Sequence, residues 1–252
     1  DDNPDMTDFL KRTFEGYFKR IIIAGDGGEA LQLVRSHVPD IIVSDVMMPR
    51  MNGYKLCKTI KEDINISHIP VILLTARDDR QSQISGYKNG ADGYLSKPFE
   101  VEMLMELIRN RLKNREYTKK RYLNAGLIPT PEESTISLTD ETFLIKLNSI
   151  IQENIENSNL GIQFICQEVG LGRSSLYNKL KALTGMGANE YISKLRIEKA
   201  ITLISGTDMP FSEIAEKTGF TTPSYFSTAF KQYTGETPSQ YKERKKKGLA
   251  DK

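Results

Sequence analysis

The sequence has no tryptophan, and only two of its 252 residues are cysteine and two histidine. Cys57 and Cys166 lie far apart, in what read as different domains. They are expected to be reduced, partly buried thiols of a cytosolic protein. His37 and His68 have no cluster of ligand-type residues beside them, so neither reads as a metal ligand or catalytic base, and both are expected on the surface or in loops. No apolar run approaches the roughly 18 residues that a membrane span needs. The opening Asp1-Asp2-Asn3-Pro4 lacks the basic-then-apolar pattern of a secretory signal. A cytoplasmic location follows as the expectation. A large excess of one charge is missing too: the net charge is +2. From Glu141 onward there are 15 basic and 12 acidic side chains, and before it 20 and 21. Solvated mixed-charge faces give the same imbalance, so charge alone cannot argue for nucleic-acid binding.

What is there suits two domains of ordinary size, with 38% hydrophobic and 27% charged residues. In the first part, Ile21–Ala24, Ile41–Val43, Val71–Leu74 and Tyr94-Leu95 read as buried strands. Helical patterns lie near Met6–Phe18, Glu29–Ser36, Tyr54–Glu62, Arg80–Asn89 and Glu100–Lys113. Strands apolar on both faces and alternating with helices imply a parallel sheet covered on both sides. A further strand is expected before Asp1, because a helix follows almost at once. The basic run from Arg109 to Arg121 reads as a solvated helix end. Gly126, Pro129, Pro131 and Ser134 break the periodicity that follows, which makes 117–141 a linker.

The last part is helical throughout. Phe143, Leu144, Leu147, Ile150 and Ile151 form one apolar face. Two helix–turn–helix segments follow. The first is Ile162–Val169, a turn at Gly170–Gly172, and Ser174–Thr184. The second is Phe211–Thr218, a turn at Gly219–Thr221, and Pro223–Tyr233. A longer helix, Ala188–Ile204, joins them. Glycine supplies the backbone freedom for each sharp reversal, and Ser174, Ser212 and Thr222 read as helix starts. The basic stretch Lys242–Lys247 reads as a frayed, solvated helix end, with nonspecific phosphate contact second.

The stretch DIIVSDVMMPRMNG puts Asp45 at the C-terminal end of a buried strand, the edge where ligands collect in open α/β sheets. Asp1 and Asp2 fall where the preceding strand would end. Thr75 ends the next strand, and Lys97-Pro98 the last. Clustered carboxylates suit a hard cation such as Mg²⁺, which neutralises a transferring phosphoryl group. A lysine adds counter-charge and a hydroxyl adds a hydrogen bond. Thr75 and Lys97 stand 30 and 52 positions after Asp45.

On these residues and spacings, Asp1–Arg115 resembles the response-regulator receiver domain of two-component phosphorelay signalling. The resemblance implies a flavodoxin-like doubly wound parallel sheet, its first strand truncated here. It implies Asp45 as phosphoacceptor, and Mg²⁺ held by Asp1, Asp2, Asp45 and the backbone carbonyl of Met47. It implies Thr75, Tyr94 and Lys97 as the residues that sense the phosphoryl group, a cis Lys97-Pro98 bond, and dimerisation on phosphorylation.

The segments LGRSSLYNKLKALTG, YISKLRIEKAITLI and FSEIAEKTGFTTPSYFSTAFKQYTGETPSQYKERKK resemble the AraC family, an all-α domain with two helix-turn-helix units. That implies double-stranded DNA as partner, with each second helix in a major groove. Arg173, Ser174, Tyr177 and Asn178 are expected to face DNA in the first unit, with Lys179 and Lys181 on phosphates or solvated. In the second unit Pro223, Ser224, Ser227 and Thr228 are expected in the groove, Lys231 near the backbone, and Arg196 on a phosphate or paired with Glu190 or Glu198. Leu176, Leu180, Leu183, Phe226 and Phe230 read as core, and Tyr225 leans toward packing. Most of these polar residues are short, so shape readout is expected to matter.

The expected layout is therefore a receiver over 1–116, a linker over 117–141, a DNA-binding domain over 142–247 and a tail over 248–252. The function implied is a phosphorylation-controlled transcription regulator, not an enzyme, receiving its phosphoryl group from a histidine kinase and acting on RNA polymerase. The style of the motifs resembles regulators at the end of hybrid histidine kinases that control polysaccharide-utilisation genes, whose parent carries a membrane-anchored sensor. A phosphotransferase or phosphatase using the acidic site, and a receiver acting by protein contact only, are the competing readings.

Overall fold

In a computed structural model of the chain, residues 1–76, 90–124 and 137–250 are described. They fall into two units, made mainly of residues 1–122 and residues 143–250.

The first unit contains α1 (Pro4–Phe14), α2 (Gly27–His37), β1 (Ile42–Asp45), α3 (Gly53–Glu62), β2 (Val71–Ala76), β3 (Gly93–Lys97) and α4 (Val101–Asn124). The three strands form a parallel sheet in the order β1-β2-β3. Side chains alternate between its faces, and so do its two cores. Val71 and Leu73 of β2 pack with Val34 of α2 and with Leu56, Cys57 and Ile60 of α3. Ile72 and Leu74 pack with Phe14 of α1 and with Leu104, Met105 and Ile108 of α4. Five of the six residues of β2 are buried, which accounts for its uninterrupted apolar run. Short polar residues cap the helices: Asn3 accepts from the Asp5 and Met6 amides, Asp26 from Gly28 and Glu29, and Asn52 from Lys55.

The expected strand Ile21–Ala24 does not form. Among the described residues β1 pairs only with β2, and an extended segment without a neighbour has no ladder to join. A cavity of about 520 Å³ lined by Ile21, Ile23, Val43, Leu74 and Ile108 lies along this side of the sheet. Helix α4 continues past the expected end of the receiver, since residues such as Arg115, Glu116, Lys119 and Lys120 are good helix formers. The rest of the expected linker as far as Ile136, with Gly126, Pro129, Pro131 and Ser134, and the expected helix Arg80–Asn89 lie outside the described residues.

Cys57 and Cys166 are buried and form no disulfide, and burial pushes the Cys57 thiol up to about 12. His37 is exposed, whereas His68 is buried, in a turn between α3 and β2 and not on the surface.

The second unit is all helix. It comprises α5 (Leu138–Glu153) from Phe143 on, α6 (Ile162–Val169), α7 (Arg173–Thr184), α8 (Ala188–Gly206), α9 (Phe211–Lys217), α10 (Pro223–Thr234) and α11 (Pro238–Ala250). The apolar face of α5 is buried at Phe143, Leu144, Leu147, Ile150 and Ile151. Helices α6–α7 and α9–α10 are the two helix-turn-helix pairs, and α8 packs against α7, α9, α10 and α11. Gly170 at φ +73° and Gly219 at φ +71° take the left-handed conformation that each reversal requires. Thr222 caps α10 by accepting from the Tyr225 amide, with Pro223 in the first turn. Helices α7 and α9 begin at Arg173 and Phe211, so Ser174 and Ser212 lie inside them. Among the described residues no helix is long and apolar enough to cross a membrane.

Candidate functional site

Three parallel strands necessarily present their C-terminal ends at one edge, and that edge carries the acidic site. Asp45 is paired in register with Leu74, and Leu74 with Leu95. Two residues further along, Ala76 pairs with Lys97. Strand parity therefore puts Asp45 and Lys97 on the same face. The Lys97 ammonium lies 2.6 Å from Asp45 Oδ2 and 2.9 Å from Asp1 Oδ2. Asp45 Oδ1 also accepts from the Met47 amide at 3.2 Å. Asp1, Asp2 and Asp45 can each offer an oxygen within 4.8 Å of the others. One ammonium thus holds two carboxylates that would otherwise repel, and a third is exposed beside them.

Three hard oxygen donors this close fit Mg²⁺, which prefers oxygen ligands. Thr75 lies near the C-terminal end of β2, at the same edge. It is fully buried, and among the described residues its Oγ1 has no hydrogen-bond partner, which leaves a donor open there. Tyr94 is paired with Leu73, so it shares the sheet face of Thr75, and it packs on the α2–α3 core. The Lys97-Pro98 bond is cis.

The loop after Asp45 is braced by groups that the sequence reading passed over. Arg50, at φ +61°, pairs with the buried Asp26 that caps α2. The Gly53 amide donates to the Val46 carbonyl at 3.0 Å. A Cβ on Gly53 would sit 2.2 Å from the Asp45 carbonyl oxygen, so only glycine fits against the end of β1. An Asp after a strand-like run and an Asn-Gly pair after Asp45 were the available signals, and both read equally well as turn chemistry.

In the second unit the expected reading residues of α7 form one exposed strip, Arg173, Ser174, Tyr177, Asn178 and Lys181, at helical spacing. Arg173 Nε donates to Gln163 Oε1 of α6 at 3.2 Å. On α10, Pro223, Ser224, Thr228 and Lys231 are exposed and Ser227 is half-buried. Leu176, Leu180, Leu183, Phe226 and Phe230 are buried, as expected. Tyr225 both packs and faces out: its ring meets Phe220 edge-on at 5.7 Å, yet it is 53% exposed.

Two expectations fail. Lys179 is fully buried, its Nζ 5.1 Å from the centroid of the Phe143 ring, and so is neither solvated nor part of the exposed strip. Its position three after Leu176 and four before Leu183 puts it on the core side of α7. Arg196 is not on a surface where a phosphate could reach it. It is 9% exposed, and Nη2 donates to the Asn157 carbonyl at 2.7 Å. Burial lowers its pKa. Nor does it pair with the expected acids, because Glu198 pairs with Lys194 and Glu190 accepts from the Gly187 amide.

Comparison with known proteins matches each unit. The family model described as "Response regulator receiver domain" covers residues 1–109, and that described as "Helix-turn-helix domain" covers residues 165–244. The chain is 40% identical over 244 residues to histidine kinase P4 of Formosa agariphila, a match that takes in 97% of this chain and 18% of that protein. It is 30% identical over 181 residues to the probable transcriptional regulator ycf29 of Pyropia yezoensis, covering 68% of this chain and 82% of ycf29. Among solved structures, the receiver domain of Francisella response regulator 1452 is similar at 41% identity and a TM-score of 0.40, over 46% of this chain and 93% of that one. The chain therefore spans less than a fifth of the length of the Formosa kinase it resembles over nearly its whole extent. It belongs to the transcriptional response regulators, as a receiver domain followed by an AraC-type helix-turn-helix domain.

Proposed function

We propose that Asp45 accepts a phosphoryl group and that its modification controls reading of DNA by α7 and α10. The single observation that carries this is the Lys97 ammonium bound to both Asp45 and Asp1 at the sheet edge. An Asp45 oxygen attacks the phosphorus of a phosphohistidine, the P–N bond breaks, and the histidine nitrogen leaves and takes a proton from water. Asp1, Asp2, Asp45 and the Met47 carbonyl would hold Mg²⁺, which supplies charge neutralisation on the transferring group. Lys97 then exchanges a carboxylate partner for a phosphoryl oxygen. The added charge of about −1.5 to −2 draws the open Thr75 hydroxyl toward it. Tyr94, on the same sheet face, moves into the space that Thr75 leaves. The altered surface pairs two receivers, and pairing places two DNA-binding domains on adjacent sites, within reach of RNA polymerase.

The match of 97% of this chain to part of a histidine kinase supports a parent in which kinase and regulator are joined. The phosphoryl group would then pass within one protein, to control polysaccharide-utilisation genes. Apart from the half-buried Ser227, the side chains expected in the grooves are exposed, as this reading needs.

Its test is sequence preference. Asn178→Ala is expected to cost about 1–3 kcal/mol on the duplex that the unaltered protein selects from a random library, and much less on unrelated duplexes. An equal loss on every duplex would remove Asn178 from the readers. Binding that does not weaken as salt rises would remove phosphate contact altogether.

A further inference from the structure

Arg196 has no role in the reading just given, yet its position is unusual. A guanidinium taken out of water without a carboxylate is costly, and among the described residues Arg196 has none within ion-pair distance. Its Nε is buried, with no partner among the described residues. What it does touch belongs to both helix-turn-helix units. Nη2 donates to the carbonyl of Asn157, in the segment leading into α6. The guanidinium carbon lies 6.0 Å from the centroid of Phe220, in the turn that leads into α10. Gly219 of that turn is wedged between the two: a Cβ there would lie 2.8 Å from Arg196 Nη2 and 2.2 Å from the Ile155 carbonyl oxygen. Phe220 in turn contacts Tyr225 and Phe226 of α10, at 5.7 and 5.4 Å between ring centroids.

We infer that Arg196 is the positioning residue that sets α10 relative to α7. From the middle of α8 it ties the entry of the first helix-turn-helix unit to the turn of the second. The planar fork suits this: one edge donates to a carbonyl while the face lies over a ring. A lysine has a single point of charge and cannot do both. The inference rests on the proposal that α7 and α10 read adjacent DNA segments, and it adds that Arg196 sets the distance between those segments without touching DNA.

The test is hydroxyl-radical footprinting of the full chain on a duplex selected by the unaltered protein. Arg196→Met and Arg196→Lys are compared, with helical content checked by circular dichroism. The unaltered chain is expected to protect two segments and to bind about tenfold more weakly when one base pair is inserted between them. Both variants are expected to keep the segment protected by α7, to lose the one protected by α10, and to become indifferent to the insertion. Uniform weakening of both segments, full rescue by lysine, or loss of helical content in both variants would overturn the positioning role. If the unaltered chain protects no segment at all, the DNA-reading proposal itself fails.

Discussion

Asp45→Asn is expected to remove phosphoryl uptake completely while leaving the fold intact. Asparagine keeps the shape of the side chain and can still accept from the Met47 amide. It has no anionic oxygen to attack phosphorus, and it removes one of the three carboxylates that could hold Mg²⁺. Stability should change little. Lys97 keeps Asp1 as partner at 2.9 Å, and one charge fewer relieves repulsion among clustered acids. Incubation with acetyl phosphate and Mg²⁺ should give the unaltered chain one acid-stable, base-labile phosphoryl group and the variant none. A label that persists in the variant would remove Asp45 as acceptor.

The second large effect is structural and lies in the other unit. Phe226→Ala is expected to cost about 3–5 kcal/mol. Phe226 is fully buried and sits in a run of edge-on and tilted rings, Phe220–Phe226–Phe230–Tyr241, with centroids 5.4–5.7 Å apart. Those rings hold α10 and α11 on α8 through Ile197, Ala200 and Ile204. The loss is a large part of the roughly 5–15 kcal/mol that holds a domain folded. DNA binding should therefore vanish near physiological temperature, while labelling at Asp45, in a separately cored unit, continues. Denaturant titration that shows a loss below about 1 kcal/mol would mean that this ring stack does not hold the second unit together.

Much of this was legible in sequence because periodicity survives folding. The apolar runs at Val71–Leu74 and Tyr94-Leu95 became β2 and β3 since both faces of those strands are covered. The boundaries of α6 and α10 were marked by Gly170 and the Thr222-Pro223 pair. Asp45 and Lys97 could be brought together because parallel strands share one edge.

What escaped depends on partners that a linear pattern does not name. Ile21–Ala24 has the composition of a strand, but strand formation needs a neighbour in register. Because of their charge, Lys179 was read as on a phosphate or solvated, and Arg196 as on a phosphate or paired with Glu190 or Glu198. Their spacing to Leu176 and Leu183, and to Ile192 and Ala200, already put each on a buried line of its helix. Charge misled because Lys and Arg are so seldom buried that burial is the last thing a sequence suggests. Tyr225 lay between the two cases, a ring with one edge in the core and the rest outside.

Control of transcription through Asp45 requires that its state reach α7 and α10. The direct measurement is the affinity for a selected duplex, at fixed salt, of the unaltered chain and of Asp45→Asn, each with and without acetyl phosphate and Mg²⁺. The phosphodonor is expected to tighten binding by the unaltered chain, with a matching shift from monomer to dimer in sedimentation, and to leave the variant unmoved. Equal affinity of the unaltered chain before and after complete labelling would contradict it.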